Sequence, residues 1–156
     1  MTRLLERVHH TGLTVSDIHR SIDFYEKVLG AKLIYFGNSE TQGIPLNKFQ
    51  SVVGIRAAKL KYAFLKLGDT FVELICYTSP RGTEEKRNHN DIGTPHIAFR
   101  VKDVDDAYEG LSKKGVRFLS RPVVVKAKRK TWTKGWKFTY FRGPDNEFLE
   151  IFQEMN

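Results

Sequence analysis

The chain contains one short pattern twice, and this repeat limits the possible fold more than any other feature. The first copy spans residues 8–30 and the second spans 95–115. Each copy carries a histidine in a strand-like run, an aspartate seven residues later and a glycine about twenty residues after the histidine. In the first copy, Ser16 or Asp17 is the predicted N-cap of a helix, and Gly30 is the predicted residue at its C-terminal end. A repeated supersecondary unit predicts a fold of two similar halves.

Each copy is followed by three further segments with the composition of strands. These segments are 31–37, 59–68 and 69–80 in the first half and 115–125, 136–142 and 147–153 in the second. The loop 38–58 holds a predicted short helix near 47–53, and the charged stretch 81–93 is the predicted linker. We therefore predict one α+β domain over residues 1–156, made of βαβββ modules at about 7–80 and 94–154.

Length and composition indicate an ordinary globular protein without a membrane segment. The 156 residues suffice for one domain, and no apolar run reaches the eighteen residues that a spanning helix needs. The N-terminus lacks the apolar core of a secretory signal. The single cysteine, Cys76, cannot form an internal disulfide. We expect a cytoplasmic protein.

The net charge is +8, and the densest basic run is Lys126 to Lys130, followed by Trp132, Lys134 and Trp136. Three interpretations of this basic run remain open: binding of single-stranded nucleic acid, a solvated loop, or a rim that attracts an anionic substrate. A solvated loop is the commonest of these. We expect no nucleic-acid partner.

Four residues occupy equivalent positions in the two halves. His10 and His96 lie in the first predicted strand of each half, and Glu73 and Glu150 lie in the last. Alternation places both glutamates on the strand face opposite the apolar residues that pack on the helices. If the first and last strands of a half are neighbours, each histidine lies near the glutamate of its own half.

Two imidazoles and two carboxylates can form a site for one divalent metal, Zn, Ni, Co, Mn or Fe(II). Each of these residues alone has a simpler explanation, because most strand histidines and glutamates are solvated or satisfied. Their coincidence in both halves favours the metal site. His9 is expected to face the helix by alternation, and we expect His19 and His89 to be solvated.

The segments HTGLTVSDIHRSIDFYEKVLG, VELI, HIAFRVKDVDDAYEGL and GPDNEFLEIFQ resemble the motifs of the vicinal-oxygen-chelate superfamily. The resemblance extends from about Arg7 to Gln153. It implies paired βαβββ modules in an open, cup-shaped barrel around one metal, with His10, Glu73, His96 and Glu150 as ligands. Members of the superfamily often form homodimers, and we expect one here.

Four ligands of the type His-Glu-His-Glu resemble glyoxalase I. The resemblance implies a metal-dependent lyase or isomerase that transfers a proton next to a carbonyl through a metal-stabilised enediolate, with Glu150 or Glu73 as the catalytic base. The alternatives are an acyl-CoA epimerase of the methylmalonyl-CoA type, a ring-cleaving extradiol dioxygenase and a non-catalytic binding or resistance protein. The sequence does not choose between the two glutamates.

The substrate is expected to be a small molecule, and the positive charge favours an anionic one. Arg100 is the candidate for binding a carboxylate, because it lies two residues beyond His96 on the same face. The loop 38–58 and the segment 126–136 are candidate selectors. The predicted lining of the site is aromatic: Phe71, Tyr77, Phe148 and Phe152.

Overall fold

The computed structural model describes residues 4–41, 43–84, 87–128 and 132–155. The chain divides into two compact units, Met1–Glu84 and Glu85–Asn156. The boundary lies inside the predicted linker 81–93. Each unit contains one four-stranded sheet with the same strand arrangement, as the repeat in the sequence predicts.

The first unit is a βαβββ module with one added helix. Its elements are β1 (His10–Thr14), α1 (Ile18–Asp23), β2 (Lys32–Asn38), α2 (Leu46–Val53), β3 (Lys59–Leu67) and β4 (Thr70–Ser79). The sheet order is β1-β4-β3-β2, in which β1 runs parallel to β4 and the other neighbours are antiparallel. The first and last strands of this half are therefore neighbours.

Local sequence explains how α1 begins and ends. The Asp17 carboxylate accepts hydrogen bonds from the backbone N–H groups of His19 and Arg20, at 2.9 and 3.1 Å, which satisfies two of the free donors of the first turn. The helix continues through a π-helical turn, Phe24–Val28. Gly30 then adopts φ +77°, a conformation that glycine accepts without steric cost.

One face of the first sheet forms a core with α1. Alternate β4 residues Val72, Leu74 and Cys76 are buried, whereas the residues between them are half-buried. α1 contacts both β3 and β4 and contributes the buried side chains Ile18 and Ile22. The predicted separation of Glu73 from the apolar, helix-packed face of its strand is confirmed.

The second unit repeats the module without the added helix. Its elements are β5 (His96–Arg100), α3 (Val104–Lys113), β6 (Val123–Lys126), β7 (Gly135–Arg142) and β8 (Phe148–Met155). The sheet order is β5-β8-β7-β6, again with a parallel first pair. Asp103 caps α3 by accepting from the backbone N–H groups of Asp105 and Asp106.

Two strand predictions need correction. The predicted strand 115–125 is reduced to β6, preceded by an isolated bridge between Phe118 and Phe141. Pro122 lacks a backbone N–H, and the Arg121 carbonyl accepts a hydrogen bond from the Ser120 hydroxyl. The strand ladder is therefore interrupted between the bridge at Phe118 and the start of β6. The first strand, predicted to open the first module at about residue 7, begins at His10. The alternation used for His9 therefore does not apply to it.

Among the residues whose positions are described, every helix is too short or too polar to cross a lipid bilayer.

Candidate metal centre

The first half brings His10 and Glu73 together. β1 and β4 are parallel neighbours, in which His10 pairs with Phe71 and Gly12 pairs with Glu73. The histidine Nε2 atom lies 3.2 Å from the Glu73 Oε2 atom. The Glu73 side chain keeps 19% of its surface exposed. A Cβ atom at the neighbouring Gly12 would stand 3.7 Å from Oε2, which is an ordinary van der Waals contact.

The second half repeats this pair with the same register. His96 pairs with Phe148, and Ala98 pairs with Glu150, between the parallel strands β5 and β8. The His96 Nε2 atom also lies 3.2 Å from the Glu150 Oε2 atom. The Glu150 side chain, however, is only 6% exposed. The sequence-based expectation that each histidine lies near the glutamate of its half is confirmed.

Burial raises the pKa of the Glu150 carboxyl above its ordinary value. The ionised form loses hydration in this surrounding. A hydrogen bond from the Tyr140 hydroxyl and the nearby imidazoles of His96 and His89 oppose the rise in this pKa. The pKa of Tyr140 is raised in turn, by burial and by the neighbouring Glu150.

An aromatic ring contacts His10 in the first half and His96 in the second, from the same strand position. In the first half this ring is Phe64, the cross-strand partner of Glu73, with its centroid 5.4 Å from that of His10. In the second half it is Tyr140, the cross-strand partner of Glu150, also 5.4 Å from His96. Both contacts are edge-to-face. The two halves thus differ here by one hydroxyl group.

Tyrosines lie beside Phe64 in the first half. The Tyr62 ring makes an edge-to-face contact with Phe64 and a tilted contact with Tyr35. Burial, followed by a hydrogen bond with Tyr35, raises the pKa of Tyr62 to about 12. The Tyr62 hydroxyl therefore stays protonated at neutral pH and can donate a hydrogen bond.

Two further histidines contact His10 and His96. The His9 ring stacks on Phe71, and its Nδ1 atom lies 2.9 Å from His10 Nδ1, which overturns the expectation that His9 faces the helix. His89 is exposed, as expected, but its ring stacks on Phe148. Sequence reasoning missed both contacts. For His9 the only signal was its adjacency to His10, and for His89 there was none.

The predicted substrate residues lie at different distances from the two pairs. Phe71 and Phe148 are the strand partners of His10 and His96. Tyr77 and Phe152 are half-buried farther along the strands of the glutamates. Their role as a substrate-binding lining stays a prediction.

Arg100 lies at the end of β5, where its side chain is exposed and 3.7 Å from the Glu154 carboxylate. It lines a cavity of about 440 Å³ together with Val101, Lys102, Gln153 and Glu154. The Arg100 guanidinium group therefore already has a carboxylate partner, that of Glu154. Binding of a substrate carboxylate by Arg100 therefore stays a prediction.

The basic run is described only in part. Residues 129–131 lie outside the described residues, so the predicted cluster of Lys128, Arg129 and Lys130 is not seen as a whole. Trp132 is 75% exposed, and its ring is parallel to that of Trp136 at a centroid distance of 6.0 Å.

The donor set of each half fits a divalent metal. Two ligand atoms about 2.1 Å from one ion lie roughly 3.0–3.4 Å apart in octahedral or tetrahedral coordination, and both pairs measure 3.2 Å. Among the described residues, no group of three or more His, Cys, Asp or Glu side chains is arranged to hold a metal ion. The four-ligand set therefore stays a proposal.

Comparison with known proteins identifies a family. Residues 7–151 match the model of the Glyoxalase/Bleomycin resistance protein/Dioxygenase superfamily. A 2-epi-5-epi-valiolone epimerase from Actinomyces is 32% identical over 92% of this chain and 77% of its own length. A lactoylglutathione lyase from Pseudomonas aeruginosa is 26% identical over 93% of this chain and 81% of its own.

Solved structures give the same result for the fold. A glyoxalase family protein from Bacillus cereus matches with a TM-score of 0.75 at 20% identity, over 99% of this chain and 97% of that one. This comparison and the family match confirm the predicted fold class of paired βαβββ modules.

Proposed function

The chain belongs to the glyoxalase/bleomycin resistance protein/dioxygenase superfamily, and we propose that it is a divalent-metal-dependent enzyme that transfers a proton next to a carbonyl. The observation that carries the proposal is the recurrence of one His–Glu pair, at one register and one distance, in both halves. The family resemblance implies that binding proteins of the superfamily lack this ligand set, so its presence here favours an enzyme.

We propose that His10, Glu73, His96 and Glu150 hold the ion. Imidazole nitrogen and carboxylate oxygen suit Zn, Ni, Co, Mn or Fe(II). A bound divalent ion supplies Lewis-acid polarisation of the substrate carbonyl, which makes the neighbouring C–H bond more acidic. The protein's own task is then to orient the substrate and to accept and return the proton.

Of the two glutamates, we assign the proton transfer to Glu150. Its side chain is only 6% exposed, and a carboxylate with little hydration is a stronger base than a solvated one. The Tyr140 hydroxyl donates a hydrogen bond to this carboxylate, which holds it in one orientation. Glu73, more exposed and paired with Phe64, serves as a ligand.

Two reactions use this chemistry. A lyase of the glyoxalase I type moves a proton between adjacent carbons. Glu73 favours this reaction, because it completes the His-Glu-His-Glu set that resembles glyoxalase I. An epimerase removes a proton and returns it to the opposite face. The 32% identical epimerase favours this second candidate and directs attention to cyclic hydroxyketone substrates, beside the thiol conjugates that the lyase would use.

The test begins with metal analysis of protein purified without oxygen and then reconstituted. We expect about one divalent ion per assembled site and loss of that ion in His10→Ala. His19→Ala is the matched control, because His19 is an exposed helix histidine on the same unit. Absence of tightly bound metal in the reconstituted wild-type protein would exclude the proposed enzyme.

The metal-loaded protein is then incubated in D₂O with a thiol hemiacetal of methylglyoxal, an acyl-CoA, a cyclic hydroxyketone and a catechol. We expect a carbon-bound proton to exchange with solvent without oxygen uptake. Formation of a hydroxyacyl thioester identifies the lyase, and inversion at one carbon identifies the epimerase. Oxygen uptake with the catechol would contradict both and indicate a ring-cleaving dioxygenase.

We further propose a homodimer in the cytoplasm that acts on a small, anionic molecule. The family resemblance supports the dimer, and the net charge of +8 supports an anionic substrate. Sedimentation of the purified protein measures the first, and the salt dependence of KM measures the second.

A further inference from the structure

Each ligand histidine contacts a second histidine through the ring nitrogen that faces away from the carboxylate. In the first half, the Nδ1 atoms of His9 and His10 lie 2.9 Å apart. In the second half, His89 Nε2 lies 3.4 Å from His96 Nδ1. In both halves the Nε2 atom of the ligand histidine is the one that faces the glutamate.

We call His9 and His89 the outer histidines. They occupy equivalent positions in the two halves but differ in their distance along the sequence from the histidine that they contact. His9 is the residue before its partner, whereas His89 precedes His96 by seven residues and lies in the segment before β5. The ring centroids nevertheless lie 5.2 Å apart in the first pair and 5.3 Å in the second, at interplanar angles of 89° and 88°. Sequence repetition cannot explain this likeness, because the two outer histidines are not at repeated positions.

A phenylalanine supports each outer histidine. His9 stacks on Phe71 and His89 stacks on Phe148, both at an interplanar angle of 18°. Phe71 and Phe148 are also equivalent, since each is the strand partner of the ligand histidine in its half. Stacking fixes the plane of the outer ring and so directs one of its nitrogens at the ligand histidine.

Hydrogen bonds hold the segment that carries His89. The Asn88 N–H donates to the Asp91 carboxylate at 2.6 Å, and the Thr94 N–H donates to the Asp91 carbonyl at 3.0 Å. The Arg142 guanidinium lies over the Phe148 ring and donates to the Arg87 carbonyl. His89 is thus placed by a structured turn rather than by a chance surface contact.

The contact has a chemical consequence for metal binding. A neutral imidazole carries one proton, so Nε2 can offer its lone pair to a metal only when Nδ1 carries that proton. The Nδ1–H group of His10 then donates to His9 Nδ1, and that of His96 donates to His89 Nε2. A partner for this proton fixes the tautomer and the ring orientation of a ligand histidine and increases its basicity.

We propose that His9 and His89 are positioning residues that accept the Nδ1–H protons of His10 and His96 and thereby tighten metal binding. The inference rests on the proposed function, because it assumes that His10 and His96 are ligands. It extends that function to two residues outside the ligand set, one in each half.

The experiment measures Co(II) affinity of the full chain by competition with a chelator. In His9→Phe and His89→Phe the ring can still stack, but the accepting nitrogen is gone, and we expect affinity to fall about 10- to 100-fold. In His9→Asn and His89→Gln an amide oxygen replaces that nitrogen, and we expect affinity within a few-fold of wild type. His19→Phe is the control and should bind as wild type does.

A second measurement follows the tautomer directly. Long-range ¹H–¹⁵N spectra of the Zn(II)-loaded wild-type protein should show His10 and His96 protonated at Nδ1 and unprotonated at Nε2. Far-UV circular dichroism confirms that each variant is folded.

The possible outcomes separate the two hypotheses. Wild-type protein that binds none of the ions Zn, Ni, Co, Mn and Fe(II) overturns the proposed function and this inference together. Wild-type protein that binds Co(II), with the Phe variants binding equally well, overturns only the positioning role. Weak binding in the Phe variants without recovery in His9→Asn and His89→Gln also overturns it, because ring packing would then be the cause.

Discussion

The two halves place the same His–Glu pair in different surroundings. Along β4, buried residues alternate with half-buried ones, and Glu73 lies on the more open face. Along β8, four successive residues from Phe148 to Ile151 are buried, so that the face of Glu150 is covered as well. His89 lies against Phe148 on this side, and Tyr140 is hydrogen-bonded to Glu150.

This difference shows how a duplicated module can separate two tasks. Both pairs keep a donor separation of 3.2 Å, which suits metal binding in either half. Only the second half adds a hydroxyl donor and removes water from the carboxylate, and these changes alter its proton affinity. If ligation is shared by the halves while proton transfer belongs to the second, equivalent substitutions in the two halves have unequal effects on activity.

The largest effect is expected from Glu150→Gln compared with Glu73→Gln. An amide oxygen can still ligate a metal, but an amide cannot accept the proton. We expect Glu150→Gln to lower kcat by about 100- to 10,000-fold, with folding and metal content preserved. Glu73→Gln should lower it far less. Steady-state kinetics of metal-loaded protein measure both.

Equal losses in the two glutamine variants would show that the halves share the proton transfer. Full activity in Glu150→Gln would refute its role as the base. Metal analysis of each variant distinguishes a lost base from a lost ligand.

A smaller effect, on the free energy of unfolding, is expected when the hydroxyl group that distinguishes Tyr140 from Phe64 is removed from the second half or added to the first. Tyr140→Phe removes the donor to the buried Glu150 carboxylate, and we expect a loss of about 1–3 kcal/mol in the free energy of unfolding. Phe64→Tyr adds a hydroxyl beside the more exposed Glu73, where water already solvates the carboxylate, so we expect a change below about 1 kcal/mol. Urea unfolding of metal-free protein measures both.

A similar cost in the two variants would mean that the halves do not differ in how they solvate their carboxylates. Tyr62→Phe is a suitable control, because that tyrosine is the neighbour of Phe64 but is paired across the strands with Ile75 rather than with a glutamate.

Much of the fold was predictable because its signals are local. Asp17 and Asp103 cap their helices, and Gly30 and Gly115 adopt positive φ where the helices end. The placement of Glu73 was predictable as well, because alternation in β4 separates it from the apolar residues, whereas the burial of Phe148 to Ile151 in succession departs from the alternation expected around Glu150. The interruption before β6 was not, since the apolar run around Phe118 reads as one strand and only hydrogen bonding reveals the break.

The positions of the outer histidines could not be predicted from sequence patterns. His9 lies before the first residue of β1, so alternation could not place it. His89 reaches His96 through a turn whose shape depends on Asp91 and Arg142, and no periodicity reports such a turn. Side chains brought to the site by irregular segments were therefore the part that sequence could not supply.

The last prediction concerns pH and tests the same difference between the halves. Burial raises the pKa of Glu150 in the folded protein above its ordinary value of 4.5. The folded state then binds this proton more tightly than the unfolded state does. Its stabilising contribution is complete below about pH 4.5 and is lost as the pH rises through the folded pKa. Glu150→Gln cannot lose a proton and lacks this dependence.

Wild-type protein should therefore lose stability relative to Glu150→Gln as the pH increases from about 4.5, when both are free of metal. The Tyr140 hydrogen bond lowers the pKa of Glu150 and so opposes the effect of burial. In Tyr140→Phe the loss should therefore extend to higher pH. Urea unfolding in EDTA at a series of pH values gives the three curves. Parallel curves for wild type and Glu150→Gln would mean that the second carboxylate is no harder to ionise than a solvated one, which removes the physical basis for assigning the proton transfer to that half.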